Sequence, residues 1–307
     1  MPELPEAETL RQAVSNLFNG RILLSAKVGP HAEIHLSKPP LQTVLQLLNV
    51  DRIGKVLIFQ WQSPASLKHY RLVSRLGMSG TWLILPPDKP FPTHTQLSLF
   101  FSDGTDRLIY RDPRRFGRLE WLEENQNSRI LEGQGPDILV ISPEEWHRRI
   151  SQSARTIRTL LLDQTLVSGI GNIYASEILF QAGISPFRKG KGLARQESRK
   201  LLMCARDILE AAICSGGSSI HSFRNSSGET GGYQTRHQVY GHEGRECPTC
   251  QGTIRKVKNQ NRSLFYCPSC QKKKGKVPLE MLPELSPAFP PEASGTSLPD
   301  HSIPSSR

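Results

Sequence analysis

The sequence predicts an α+β protein: an N-terminal antiparallel β-sandwich flanked by helices, a mainly helical middle, and a small basic hairpin module bearing cysteines near the C-terminal end. Three observations predict it. Residues 21–121 are dominated by β-branched and aromatic runs separated by turn residues, whereas residues 138–236 place their apolar positions at helical spacing. Four of the six cysteines then fall into two CxxC pairs. A length of 307 residues with 37% hydrophobic content leaves room for two domains and a sizeable core.

The first element is a helix over 5–18. Leu10, Val14, Leu17 and Phe18 make one apolar stripe, Pro5 suits the first helical position, and Asn19 and Gly20 stop the segment. Strands follow. The run 55–61 (KVLIFQW) is rich in β-branched and aromatic residues, and residues 71–85 are two apolar runs around a turn, LGMSG at 76–80. Residues 96–101 and 107–110 flank Asp103 and Gly104, a strong hairpin signal. Helices are predicted over 154–163, 172–181 and 194–214, the last with Leu201, Cys204, Ile208 and Ala212 on its core face. Between the first two helices lies a polar, glycine-bearing double turn, 165–171. Serine and glycine are dense over 215–233, which reads as a mobile loop, and the proline-, serine- and glutamate-rich end reads as a disordered tail.

Charge narrows the partners. The net charge is +11, and residues 247–276 hold eight Lys/Arg (Arg255, Lys256, Lys258, Arg262, Lys272, Lys273, Lys274 and Lys276) with no acidic residue. Such a chain suits a polyanion, and such a module suits phosphates. Nothing resembles a signal peptide or an apolar stretch long enough to span a membrane, so no membrane role is expected. Without a secretory signal, Cys247-x2-Cys250-x16-Cys267-x2-Cys270 reads as four thiolate ligands to one structural Zn2+ in a zinc-ribbon β-hairpin, a set that leaves no open coordination site. Arg262 falls near the hairpin tip, either as one more phosphate contact or as a group reaching into a catalytic pocket.

The opening PELPE, residues 2–6, carries the chemistry. When Met1 is removed, Pro2 becomes a terminal secondary amine. A terminal amine has a reference pKa of about 7.7–8, against about 10.4 for lysine, so far more of it is nucleophilic at neutral pH. Such an amine can attack a sugar carbon and hold it as an iminium, with Glu3 beside it to handle protons. The positive end of the 5–18 helix favours an ionised carboxylate and an unprotonated amine there. Further along, DPRRFG at 112–117 follows a strand and must turn. Its arginines and aromatic, with Met78 on the 76–80 turn, read either as core packing or as a wedge into a duplex. GIGN at 169–172 opens a helix and reads as a phosphate seat or as a plain cap.

Taken together these motifs resemble the bacterial formamidopyrimidine-DNA glycosylases of the Fpg/Nei family, over residues 1–271. The likeness rests on PELPE, Gly54 with Lys55, LGMSG, DPRRFG, GIGNIYASE at 169–177, QVYG at 238–241 and the four cysteines, in that order. It implies a bifunctional base-excision enzyme that removes oxidised purines such as 8-oxoguanine and formamidopyrimidines from duplex DNA and cleaves the strand by β,δ-elimination. By the same resemblance Pro2 is the nucleophile at C1′, Glu3 the general acid/base, Glu6 its support, and Lys55 and Arg262 further members of the catalytic set. Met78, Arg114 and Phe116 would fill the gap left by the extruded nucleotide. His94, Arg115, Arg158, Asn172 and Tyr240 would contact the backbone, and residues 165–177 would belong to a helix-two-turn-helix element.

The implied organisation is a catalytic β-sandwich domain over 1–137, a helix-two-turn-helix domain over 138–237 with a lesion loop at 215–233, a zinc finger over 238–271 and a tail over 272–307. A cytoplasmic bacterial monomer acting on damaged double-stranded DNA is expected. Arg75, the stretch 94–96, Ala7 and Arg158 depart from the usual family pattern, and none of them removes a catalytic group. Two other readings stay open: a Nei-type glycosylase for oxidised pyrimidines, disfavoured by Leu4 and the complete Met78, Arg114 and Phe116 set, and a non-catalytic zinc-ribbon DNA-binding protein, which leaves Pro2, Glu3 and Lys55 without a purpose.

Overall fold

The computed structural model describes residues 2–29, 44–104, 106–218, 231–259 and 262–272. The first helix, α1 (Leu4–Phe18), places Pro5 in its first turn. Ala7, Leu10, Val14 and Phe18 are fully buried, whereas Leu17, at the margin of the stripe in the last turn, is 43% exposed. Each buried aliphatic or aromatic side chain of this stripe contributes about 1.5–3 kcal/mol.

Eight strands follow: β1 (Ile22–Val28), β2 (Leu45–Ile53), β3 (Val56–Gln62), β4 (His69–Arg75), β5 (Thr81–Leu85), β6 (Thr95–Phe101), β7 (Arg107–Arg111) and β8 (Arg118–Glu123). They form one sheet in the order β5-β7-β6-β1-β2-β3-β4-β8, with every pairing antiparallel. The sheet curls on itself. The Trp82 ring on β5 lies 4.8 Å from the Phe59 ring on β3, and the Trp82 indole N–H donates to Ser74 Oγ on β4 at 3.0 Å. One end of the sheet thus faces its other half across a core that α1 helps to fill. The 76–80 turn joins β4 to β5, which do not pair, so it carries the chain from one layer to the other. Asp103 and Gly104 do sit in the link between the paired strands β6 and β7.

The helical region contains α2 (Pro143–Ser151), α3 (Ile157–Leu162), α4 (Asn172–Gln181) and α5 (Arg195–Cys214). The sequence pattern marks three of these helices and omits α2. That helix buries only Trp146 and Ile150, too few positions for a periodic signal, but Ser142 caps it by accepting from the Glu145 N–H and Pro143 opens it. The helices share a second core, which includes Trp146, Leu160, Tyr174, Ile178, Leu201 and Leu209. Leu4 of α1 inserts into that core while Leu10 and Phe18 of the same helix serve the sheet. The start of α1 is therefore fixed where the two cores meet.

A last hairpin, β9 (Arg255–Asn259) with β10 (Arg262–Tyr266), pairs Tyr266 with Arg255 and Arg262 with Asn259. Phe265, Ile254 and Val239 pack on Phe180 of α4. The Gln271 amide donates to the Ile184 carbonyl at 3.0 Å, which ties the module to the helices. Most of the 215–233 loop and nearly all of the 272–307 tail lie outside the described residues. Among the described residues no helix is long and apolar enough to cross a membrane.

Candidate active site

Two helix N-termini converge on one carboxylate. Pro2 and Glu3 are buried ahead of α1. Glu3 accepts the backbone N–H of Ile173 at 3.0 Å and of Tyr174 at 3.4 Å, both in the first turn of α4, and the Leu4 N–H donates to the Gly169 carbonyl at 3.1 Å. A carboxylate is stabilised at such a site by the unpaired N–H groups and by the helix field. The approach is so close that a Cβ on Gly171 would lie 2.2 Å from the Glu3 carboxyl carbon. That explains the glycine of the GIGN motif. The helix start, read from sequence as a phosphate seat or as a plain cap, gives two of its N–H groups to Glu3.

Glu6 lies one turn further on and collects three donors. Its oxygens accept from the Glu3 N–H at 2.8 Å, the Ser218 N–H at 2.7 Å and the Tyr174 hydroxyl at 2.8 Å. Burial, reinforced by the nearby Glu3, raises the Glu6 carboxyl above its ordinary pKa, while those three donors pull it back. Tyr174 is held protonated by burial and by Glu6.

Lys55 sits half-buried in the turn between β2 and β3. Burial, seconded by the charge of Arg262, lowers its ammonium pKa, and Glu3 and Glu6 oppose that shift. Both carboxylates are thus near enough to act on Lys55. The turn itself is clamped: Asp137 accepts the Gly54 N–H at 2.8 Å and pairs with Arg52, whose guanidinium also pairs with Glu8 of α1 at 2.8 Å. The clamp ties the lysine turn to α1.

The wedge candidates form a separate unit. Met78 and Phe116 are 38% and 56% exposed, and the Arg114 guanidinium lies over the Phe116 ring at 4.9 Å. Beneath them Asp112 accepts from Ser79 Oγ at 2.5 Å and from the Gly117 N–H at 2.7 Å, while Ser79 Oγ accepts the Arg114 N–H at 3.0 Å. Gly77 has φ +67°, and a Cβ there would meet the Phe116 carbonyl at 2.6 Å, so the two loops touch backbone to backbone. His94 and Arg115 also adopt positive φ, 66° and 55°, and the His94 carbonyl accepts the Asp112 N–H. An exposed aromatic and an arginine on a rigid base can enter a base stack.

Arg158 is buried, its guanidinium donating to Asn172 Oδ1 at 2.8 Å, and Asn172 Nδ2 donates to the Ser263 carbonyl of the hairpin at 2.9 Å. Burial and the charge of Arg262 both lower the Arg158 pKa. Exposed Arg262 thus stands within electrostatic reach of Arg158 and Lys55, which makes a cationic strip. The QVYG segment is held by Glu177, which accepts the N–H groups of Gln238, Val239 and Tyr240 at 2.9, 3.1 and 2.7 Å. Tyr240 packs on Phe265 at 4.9 Å between ring centroids.

The Sγ atoms of Cys247, Cys250, Cys267 and Cys270 all lie within 4.8 Å of one another, with Cys247–Cys270 at 3.8 Å and Cys250–Cys267 at 3.4 Å. A tetrahedral ion with metal–sulfur bonds of about 2.3 Å requires sulfur–sulfur edges of about 3.8 Å, so the set has metal-site dimensions.

Residues 1–119 match the formamidopyrimidine-DNA glycosylase N-terminal domain, and residues 133–224 match the formamidopyrimidine-DNA glycosylase H2TH domain. The formamidopyrimidine-DNA glycosylase of Thermus thermophilus is 37% identical over 282 residues, 88% of this chain and 98% of the relative. The chain belongs to the formamidopyrimidine-DNA glycosylase family. A second relative in this family, from Thiobacillus denitrificans, is also 37% identical, over 89% of this chain and all of the relative. Among solved structures, the MutM (Fpg) protein of Thermus thermophilus superposes with a TM-score of 0.79 at 36% identity. A mutant of the Lactococcus lactis Fpg, in complex with a Fapy-dG containing DNA, superposes with 0.78 at 32%. Each alignment covers 89% of this chain and 100% of the neighbour.

Within this family frame the sequence reading omitted several residues that hold the site. Asp112, Asp137, Tyr174, Glu177, Ser218 and His237 carry no local pattern of their own. Most of their partners lie far away in the chain, and only the quoted motifs GIGNIYASE and DPRRFG contain three of them.

Proposed function

We propose that this chain is a bifunctional DNA glycosylase/AP lyase whose nucleophile is the Pro2 amine, freed by removal of Met1. The observation that carries the reading is Glu3 seated against two helix N-termini directly beside Pro2, in a family of base-excision glycosylases. The extruded nucleotide presents C1′ to the Pro2 nitrogen. A C–N bond forms as the C1′–base bond breaks, and the proton that the attacking amine loses passes to the departing base. Glu3 hands a proton to O4′, the sugar ring opens, and an iminium joins Pro2 to C1′. Loss of a 2′ proton then expels the 3′ phosphate, and a second elimination expels the 5′ phosphate. Lys55, Arg158 and exposed Arg262 contribute positive charge for the phosphates flanking the lesion, with His94, Arg115, Asn172 and Tyr240 as backbone contacts. Met78, Arg114 and Phe116 occupy the gap, offsetting the few kcal/mol that extrusion costs.

Oxidised purines are the substrate class, in duplex DNA and with the protein acting as a monomer in the cytoplasm. One Zn2+ on the four cysteines braces the hairpin that carries Arg262. Supporting it are the sulfur spacing and a ligand set with no place for substrate. We set the functional boundaries at 1–137, 138–237 and 238–271.

Borohydride trapping on a duplex carrying 8-oxoguanine opposite cytosine, followed by peptide mapping, tests the reading. An adduct at Pro2 is the expected result. An adduct formed only on an oxidised pyrimidine would replace the substrate class, and no adduct on either would overturn the mechanism.

A further inference from the structure

Behind Glu6 runs a buried chain of hydrogen bonds that the reaction above does not use. The Tyr174 hydroxyl donates to Glu6 at 2.8 Å and lies 3.0 Å from Ser218 Oγ, which lies 3.0 Å from His237 Nε2. Tyr174, Ser218 and His237 are 0%, 3% and 6% exposed. The carboxylate fixes the direction of every proton. Tyr174 has a single proton and gives it to Glu6, so its oxygen can only accept from Ser218. Ser218 has then used its own proton, so its oxygen must accept from His237, which carries its hydrogen on Nε2.

We propose that His237 is a positioning residue for the glycosylase reaction: its Nε2–H is the terminal donor of a one-way chain through Ser218 and Tyr174 that keeps Glu6 an acceptor for the Glu3 N–H. The inference rests on the catalytic reading of Pro2 and Glu3 given above. The surroundings agree with a neutral donor. The imidazole meets the Tyr233 and Tyr240 rings edge-on at 5.8 and 5.9 Å, and among the described residues the titratable neighbour that acts on it is His242. Burial, seconded by His242, pushes its pKa down to about 4, so it stays uncharged through the neutral range. Among the described residues, the ionisable groups around Glu6 are Glu3 just ahead of its helix, Tyr174 on α4 and Lys55 in the turn between β2 and β3. The remaining polar contact is Ser218, through its N–H. Loss of the terminal donor frees Ser218 to turn away and Tyr174 to follow, which withdraws stabilisation from the Glu6 anion.

The test compares His237→Leu, which removes the donor, with His237→Gln, which keeps an N–H but cannot titrate. Single-turnover excision of 8-oxoguanine is measured across pH on the full chain with its metal. His237→Leu is expected to slow excision about tenfold at neutral pH and to move the acid limb upward by about half a unit to one unit, the size of one hydrogen bond. His237→Gln is expected to return both toward wild type. A Leu variant that is slower by the same factor at every pH, or a Gln variant that fails to restore the limb, overturns the proposal, because a packing role predicts those results. Wild-type protein run alongside separates the two readings: failure of wild type to form the Pro2 adduct sinks the catalytic assignment, whereas normal wild-type trapping with unshifted variants sinks only the role of His237.

Discussion

The carboxylate corner and the wedge rim are built from equally short motifs but are held in opposite ways. Glu3 and Glu6 are each about 1% exposed; Glu3 receives two backbone donors from α4, and Glu6 receives the Glu3 N–H, the Tyr174 hydroxyl and the Ser218 N–H. Met78 and Phe116 project into solvent, and only the base of their loops is fixed, through Asp112 and Ser79. A group that moves protons needs a fixed position and a defined environment. A group that enters a base stack needs freedom at its tip and a stiff anchor beneath. The difference teaches that substitutions at the corner should strike the chemistry, and those at the rim should strike extrusion of the base.

The largest break should come from blocking the amine. One additional residue ahead of Pro2 is expected to abolish the borohydride adduct while DNA affinity, read by gel shift, survives. Glu3→Gln should come next, slowing single-turnover excision by about 10²–10⁴-fold, the usual range for a positioned acid/base. Gly171→Ala should follow, because its Cβ would press on the Glu3 carboxyl. It is expected to cost about 1–3 kcal/mol in denaturant melts and to cut trapping toward the Glu3 variant. A normal rate there would show that the carboxylate tolerates displacement.

At the rim, Asp112→Asn should weaken the loop anchor. Excision of 8-oxoguanine is expected to fall about tenfold, equivalent to about 1.4 kcal/mol, with a smaller fall for strand cleavage at a preformed abasic site. Equal losses on both substrates would erase the distinction between corner and rim. The last effect is on acid stability and not on rate. A His237 that titrates at about 4 in the fold and about 6.5 in the unfolded chain leaves the unfolded state binding more protons between those values. Its stabilising contribution is complete above pH 6.5 and is lost as pH falls toward 4. His237→Gln should flatten that slope by up to about 3 kcal/mol, measured by melting at pH 7 and pH 4.5.

Much of this was legible in the sequence because the determinants are local. The stripe of α1, the Asp103–Gly104 turn, the glycine-flanked LGMSG loop and the cysteine spacing each depend on residues within a few positions. The corner is different. Glu3 meets the Ile173 N–H across 170 positions, and Glu6 meets the Ser218 N–H across 212. No periodicity encodes such a pairing, which is why the GIGN glycines suggested a phosphate seat or a plain cap and not room for a carboxylate. Glu177 was invisible for the same reason, since its three acceptor contacts lie 61 to 63 positions away. The curling of the sheet, set by Trp82 against Phe59 and Ser74, also depends on layers that the strand pattern alone leaves unordered.

The burial of Pro2 has a consequence for how the enzyme is made. Glu3 and Glu6, which follow Pro2, gain their distant backbone donors only after residues 173–174 and then 218 have been synthesised. On the proposed chemistry, Met1 has to be clipped before the molecule can react. Processing speed therefore decides what fraction of molecules is active. Slow clipping during rapid overproduction would leave a population that is inert because its nucleophile is still capped by Met1.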